Sequence, residues 1–361
     1  MEGEKSMRKC LIVCSIFLFM LAGCVQPKVI DDINIMSAVG YDSHKGDKVK
    51  GTIVIPVYKT DKSISNEQFT AIATQSKAIN RKAQQKSADP LENGSIEVVL
   101  FGKELAEKGV IEIIDTLERD AKIGSHLLVA VSEGKASSIL NKRLGNRGTG
   151  TYLNTLLRHN MKTRELPRNN LHLFLFSYYS RVKDPFMPYI ELEEDDKVNV
   201  KGVALFKDDK VVSYLEEEKM FFFKALMENF RNGSYTFRVE DNFVTLFSLT
   251  LNRDYKIKNA MTNPEINIKI NLEAHIREFS GDKLDPKMIK KIEKRFSKIV
   301  EKSCEEMLYD FIEQEIDPVG IGLLAKTQTR KFDYKKWEEA YPKSKVNITS
   351  EVYVSETGIV E

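Results

Sequence analysis

From Ile266 to Ile276 every second residue is apolar: Ile266, Ile268, Ile270, Leu272, Ala274 and Ile276. A period of two over this length predicts a strand with one buried face. Just downstream the period changes. Asp285 as N-cap and Pro286 at the first helical position are a strong helix start. Ile289, Ile292, Phe296, Ile299, Ser303, Met307, Leu308, Phe311 and Ile312 then recur at three-four spacing. This predicts a long C-terminal helix over about 285–316, with one apolar stripe suited to packing across a sheet.

The rest of the chain alternates these periods in shorter pieces. Strands are predicted over 33–40, 49–58, 69–74, 96–101 and 127–131. Helices are predicted over 75–87, 103–108 (closed by Gly109), 110–117, 136–140 and 151–161. Residues 170–179 are apolar and aromatic throughout, and 184–188 read as a turn. The acidic run Glu191, Glu193, Glu194, Asp195 and Asp196 reads as a solvated connection.

Beyond it, strands over 198–206 and 211–214 flank the turn signal Lys207-Asp208-Asp209-Lys210. A helix from Glu216 carries Phe221, Phe222 and Phe223 and ends at Asn232-Gly233. Three consecutive Phe cannot all point inward from one helix, so at least one is expected near an interface. Alternating segments at 243–250 and 255–257, and a last strand over 346–354, complete the pattern. The expected class is α+β, mixed sheets packed with helices in two or three domains. An N-terminal α/β domain is placed at 33–195 and a C-terminal α+β domain at 196–361.

One stretch follows neither period. Residues 11–22 carry no charge, sit behind Lys5, Arg8 and Lys9, and end in Leu21-Ala22-Gly23-Cys24. A basic start, an apolar run and small residues at the cut site predict a secretory signal peptide, 1–23. The run is shorter than the ~20 residues that a spanning helix needs. A cysteine directly after Leu-Ala-Gly is the pattern of a bacterial lipoprotein. Its thiol takes a diacylglycerol, and cleavage makes Cys24 the first residue, with 24–32 as a lipidated tether. Acyl chains hold a domain to a bilayer by ~0.8 kcal/mol per buried methylene. Met7 before Arg8-Lys9 is a cleaner start than Met1.

Composition sharpens this picture. Without residues 1–23 the 361-residue chain has 338 residues, enough for two domains or three. A hydrophobic content of 42% and a charged content of 30% describe a globular chain. Three basic and two acidic residues leave with the signal, so 55 and 53 become 52 and 51, a net charge of +1. That balance gives no support for nucleic-acid binding. Of four cysteines, Cys10 and Cys14 leave with the signal and Cys24 is lipidated. Only Cys304 remains, expected as a buried thiol, so no intrachain disulfide forms. An exported chain without disulfides suits a Gram-positive type of envelope.

Candidate chemistry is sparse. His44, His126, His159, His172 and His275 include no pair at metal spacing, and no His-Glu-x-x-His or Gly-x-Ser-x-Gly occurs. Gly145-Asn146-Arg147-Gly148-Thr149-Gly150 looks like a phosphate loop. It lacks Gly-Lys-Ser/Thr and a preceding strand, so it reads as a plain loop. The 191–196 carboxylates lack EF-hand spacing. Asp115, Glu118 and Asp120 read as an exposed helix face. No catalytic, cofactor or metal residue is assigned, and the one site residue is Cys24.

The order of several short motifs resembles the Ger(x)C family, the lipoprotein C subunits of nutrient germinant receptors in endospore-forming bacteria. They begin with Cys24 and Asp32-Ile33-Asn34-Ile35-Met36-Ser37-Ala38-Val39-Gly40-Tyr41-Asp42. Gly102-Lys103-Glu104-Leu105-Ala106-Glu107-Lys108-Gly109 and Asp115-Thr116-Leu117-Glu118-Arg119-Asp120 follow. The second half adds Lys201-Gly202-Val203-Ala204-Leu205-Phe206-Lys207-Asp208-Asp209-Lys210, then Asp317-Pro318-Val319-Gly320-Ile321-Gly322 with Trp337 beyond. The chain departs from the family at Val25-Gln26, where Trp-Asp is usual, and at Ser213, where Gly is frequent. The resemblance implies a non-enzymatic, palmitate-bearing lipoprotein without cofactor, on the outer face of the spore inner membrane. It implies integral membrane A and B subunits as partners in nutrient-triggered germination. The alternative is a lipid-anchored solute-binding protein of an importer, which requires two doubly wound lobes and a hinge.

Overall fold

The computed structural model describes residues 33–124 and 126–357, with side chains to 354. The expected signal peptide, Cys24 and the expected tether lie outside the described residues. In chain order the elements are β1 (Asn34–Ile35), β2 (Ala38–His44), β3 (Lys48–Tyr58), β4 (Ile64–Ala73), α1 (Ser76–Gln84), β5 (Leu91–Glu92), β6 (Val98–Gly102), α2 (Lys103–Lys108), α3 (Ile111–Glu118), β7 (Leu128–Ser132), α4 (Ala136–Leu140), α5 (Thr149–Thr163), α6 (Leu171–Tyr179) and β8 (Phe186–Leu192). Then come β9 (Val198–Lys207), β10 (Lys210–Glu216), α7 (Glu217–Met227), β11 (Phe230–Val239), β12 (Asn242–Lys258), β13 (Glu265–Phe279), α8 (Pro286–Glu313), α9 (Ile321–Gln328), α10 (Tyr334–Ala340) and β14 (Lys345–Thr357).

An eight-stranded mixed sheet has the order β10-β9-β8-β7-β6-β2-β3-β4, and a four-stranded sheet the order β11-β12-β13-β14. β1 and β5 form a short parallel pair. The fold is α+β, mixed sheets with helices, as the periodicity predicts. Side chains alternate across the large sheet. Val39, Tyr41, Val99, Phe101, Val129 and Val131 bury against α1, α2, α3 and α6. Ala38, Val98, Leu100, Leu128 and Ala130 bury on the other face, in a core that continues through α4, α5 and α7 into α8 and the small sheet.

Phe221, Phe222 and Phe223 are all buried. α7 lies between the two sheets and so has no solvent side there. Phe223 meets Phe186 of β8 edge-on at 5.3 Å and Phe311 of α8 at 6.0 Å, while Phe221 packs on Phe230 and Phe296. The interface expected for this triplet is thus internal, between the two sheets.

α8 starts as predicted, with the Asp285 carboxylate accepting the Met288 N–H at 2.8 Å. Its apolar stripe packs on the small sheet, and one shoulder covers that sheet's edge. Along β14, the amides of Val346, Ser350 and Val354 point away from β13. They donate to Tyr309 Oη (3.2 Å), Glu301 Oε1 (2.8 Å) and Glu293 Oε1 (3.0 Å). Eight helical residues rise about as far as four strand residues, so one acceptor meets every second free amide. The helix thereby closes an edge that would otherwise be open to another strand.

Several boundaries differ from expectation. The 33–40 segment divides at Met36-Ser37, because Asn34–Ile35 pairs with β5 while Ala38 onward joins the large sheet. Residues 170–179 form a helix, with Asn170 Oδ1 accepting the Leu173 N–H at 2.8 Å. Of the turn expected at 184–188, residues 186–188 are the start of β8. Pro188 fits there because it lies opposite Val203, outside the short stretch where β8 pairs with β7. α7 stops at Met227, and Asn232-Gly233 forms an irregularity inside β11. The segments 243–250 and 255–257 are one strand, β12, interrupted at Ser248, whose φ is +53°. The acidic run 191–196 spans the end of β8 and the hairpin turn into β9, so chain from both sides of residue 195 builds the large sheet.

Candidate functional site

The motif residues converge on three helix N-termini. A helix start exposes unpaired N–H groups and attracts negative charge. In open α/β sheets a ligand phosphate often sits there. Here the chain supplies its own carboxylates. Asp42, buried at the end of β2, accepts the Ala136 and Ser137 amides of α4 at 2.6 and 3.0 Å. Asp209, in the β9–β10 turn, accepts the Ile111 amide of α3 at 3.2 Å, and its carbonyl takes the Val110 amide at 3.1 Å. Asp317, also buried, accepts the amides of Gly320 (2.8 Å), Ile321 (2.8 Å) and Gly322 (2.7 Å) and so caps α9. Burial raises its carboxyl to about 6 against the pull of these three donors.

The neighbouring glycines make room for these caps. A Cβ on Gly102 would lie 2.4 Å from Asp42 Oδ1, and one on Gly109 2.6 Å from Asp209 Oδ2. Gly109 also has φ +131°, which side chains rarely adopt. A Cβ on Gly322 would meet Trp337 Nε1 at 2.6 Å. Trp337 is buried against Phe332 and Tyr341, and the Tyr341 hydroxyl donates to the Ile316 carbonyl at 2.9 Å. Asp184, before β8, binds the Asp317 amide at 2.7 Å and donates its own amide back to the Asp317 carbonyl at 2.9 Å. The motifs therefore join distant segments.

A second cluster closes the carboxyl ends of β6 and β7. Glu133 accepts from Lys103 at 3.0 Å, from Lys201 at 3.0 Å and from the Tyr189 hydroxyl. Lys201 also reaches Glu191 at 3.2 Å, and Lys103 lies 4.8 Å from the Tyr214 ring centre. The Tyr189 hydrogen bond, with the two lysines, holds the Glu133 carboxyl down to about 2 from an ordinary 4.5. A depressed carboxyl contributes stability above 4.5 and loses it as pH falls toward 2. We expect Glu133→Gln to flatten this acid limb and to cost about 1 kcal/mol at pH 7. The cost is small because Lys103 and Glu133 are each 36% exposed. Urea denaturation at stepped pH measures both.

Cys304 is buried on α8, and burial pushes its thiol up. Gly145–Gly150 leads into α5, and a Cβ on Gly150 would lie 2.7 Å from the Ser37 carbonyl carbon. Its small residues thus serve close packing. Asp115 pairs with Arg119, Glu118 accepts the Tyr179 hydroxyl at 3.1 Å, and Asp120 accepts from Asn93 at 2.5 Å. The structure does not bring these three carboxylates to a common ligand. Among the described residues no group of three His, Cys, Asp or Glu is arranged to hold a metal ion. No helix among them is long and apolar enough to cross a membrane.

The spore germination protein N-terminal domain matches residues 26–192. The spore germination B3/GerAC-like C-terminal domain matches 201–358. The chain is 31% identical over 356 residues to spore germination protein GerQC of Bacillus cereus, covering 97% of this chain and 98% of that one. It is 23% identical to spore germination protein KC of Bacillus subtilis (strain 168), covering 98% and 97%. The crystal structure of the GerBC protein superposes with a TM-score of 0.58 at 15% identity, over 87% of this chain and 96% of that one, and so shares the fold. The chain belongs to the Ger(x)C family of germinant receptor C subunits.

Proposed function

We propose that this chain is a lipid-anchored, non-catalytic subunit that docks on integral membrane A and B subunits and is needed for nutrient-triggered endospore germination. Its place is the outer face of the spore inner membrane. Acyl chains on Cys24 hold it in the membrane plane, which makes docking nearly intramolecular. The observation that carries this reading is how the family motifs are used. Asp42, Asp209 and Asp317 each fill a helix N-terminus of their own chain. Positions that hold a substrate anion in other α/β proteins are occupied from within, as suits a rigid scaffold.

Cys24→Ala tests the anchor in the native host. The variant is expected to lose its acyl label and to lower the nutrient response at least about tenfold, the scale of a lost tether. A tagged wild-type chain extracted from spore membranes should bring two multi-span proteins with it. An undiminished response from Cys24→Ala, or a chain that purifies alone, contradicts the proposal.

A further inference from the structure

Helix α6 is apolar on both sides. Leu171, Phe174 and Leu175 enter the core, while Leu173, Phe176 and Tyr179 are 39%, 49% and 58% exposed on the opposite side. The helix stands as a ridge between two grooves. One, of about 510 Å³, is walled by Leu117 of α3, Ile123, Phe176 and Leu323 of α9. The other, of about 710 Å³, begins at Leu173 and carries Arg158, Lys162, Arg168, Lys224 and Arg231 against the single carboxylate Glu228. Glu228 is paired with Arg168, and Glu118 of the first groove accepts the Tyr179 hydroxyl.

We propose that this ridge seats on an anionic lipid bilayer. Leu173, Phe176 and Tyr179 enter the boundary between headgroups and acyl chains, and Arg158, Lys162, Arg168 and Arg231 meet lipid phosphates. An exposed apolar and aromatic helix face bordered by cations is what such a surface takes up. The tether places the ridge correctly. Only nine residues lie between Cys24 and Asn34, at most about 35 Å of extended chain from one to the other. Asn34 pairs with Leu91, Glu92 binds Lys122 at 2.8 Å, and the adjacent Ile123 walls the first groove. The start of β1 and the ridge therefore share one end of the molecule. The inference rests on the proposed lipid anchor.

The test uses the lipidated full chain in vesicles of phosphatidylglycerol and phosphatidylcholine. An environment-sensitive dye is attached to Phe176→Cys and, as a control, to Phe243→Cys at the far end of the β11–β12 hairpin from Arg231. Cys304 is buried and does not react. The dye at 176 is expected to shift to the blue and to lose about half its emission to nitroxide-labelled lipid, with no change at 243. Co-flotation of the chain with an unquenched dye at 176 overturns the lipid face and leaves the anchor standing. A dye at 176 that is shielded only when the membrane subunits are added also overturns it, in favour of a protein partner. Failure of the lipidated chain to float at all overturns both anchor and face.

Discussion

Lys224→Met is expected to destabilise the folded chain by about 3–5 kcal/mol. Lys224 is 3% exposed on α7. Its ammonium donates to the carbonyls of Met161 (3.0 Å), Arg164 (2.5 Å) and Leu166 (3.1 Å), at the end of α5 and in the loop after it. Glu228 lies 3.7 Å away. Burying an ammonium is costly, and burial pulls this one below the ordinary lysine range. Replacing a buried ion pair by apolar side chains can be neutral when both partners are exchanged. That escape is closed here, because three of the acceptors are backbone. Methionine fills the space and leaves three carbonyls without donors, each worth about 1–3 kcal/mol. Chemical denaturation of the full chain measures the loss. A change below about 1 kcal/mol would show that water replaces the ammonium there.

The second large effect is expected at Asp317. Alanine removes the acceptor for three amides and leaves the joint with Asp184, which runs through the backbone of residue 317, for a loss of about 3 kcal/mol. Asparagine keeps an acceptor oxygen and is expected to recover part of this. The pH dependence separates the two contributions. The folded carboxyl is raised from 3.8 to about 6, so its stabilising effect is complete below 3.8 and is lost as pH rises through 6. Stability of the natural chain should therefore contain a component that falls between pH 4 and 6 and is missing from Asp317→Asn. Glu133 acts lower, between 4.5 and 2, and with the opposite slope. Thermal unfolding of both variants at pH 3, 5 and 7 checks both signs.

The fold was legible wherever a period persisted. Ile266–Ile276 and the stripe from Ile292 to Ile312 each appear as read, because one face of each element meets a core. Legibility failed where an element is apolar on both faces. Phe221-Phe222-Phe223 lies between two sheets, and the helix at Leu171–Tyr179 is apolar all round, so neither carries a usable period. β12 reads as two strands because the polar run Asn252-Arg253-Asp254 interrupts its apolar pattern, although pairing with β13 continues through it. The roles of Asp42 and Asp209 were invisible for another reason. Their helices lie 94 and 98 residues away in sequence, and capping rules look only a few residues along the chain. The signal that could have found them was the pair Gly102 and Gly109 around α2, since glycines bracketing so short a helix indicate something packed close at both ends. The tether at Cys24 is read from local spelling alone, Leu21-Ala22-Gly23-Cys24, and lies outside the described residues.

The account turns on what the host does to that cysteine. Mass spectrometry of the N-terminal peptide from spore membranes measures it directly. The expected result is a chain that begins at residue 24 and carries a thioether-linked diacylglycerol. A chain that begins elsewhere, or an unmodified Cys24, contradicts the anchor and the membrane-facing orientation built on it.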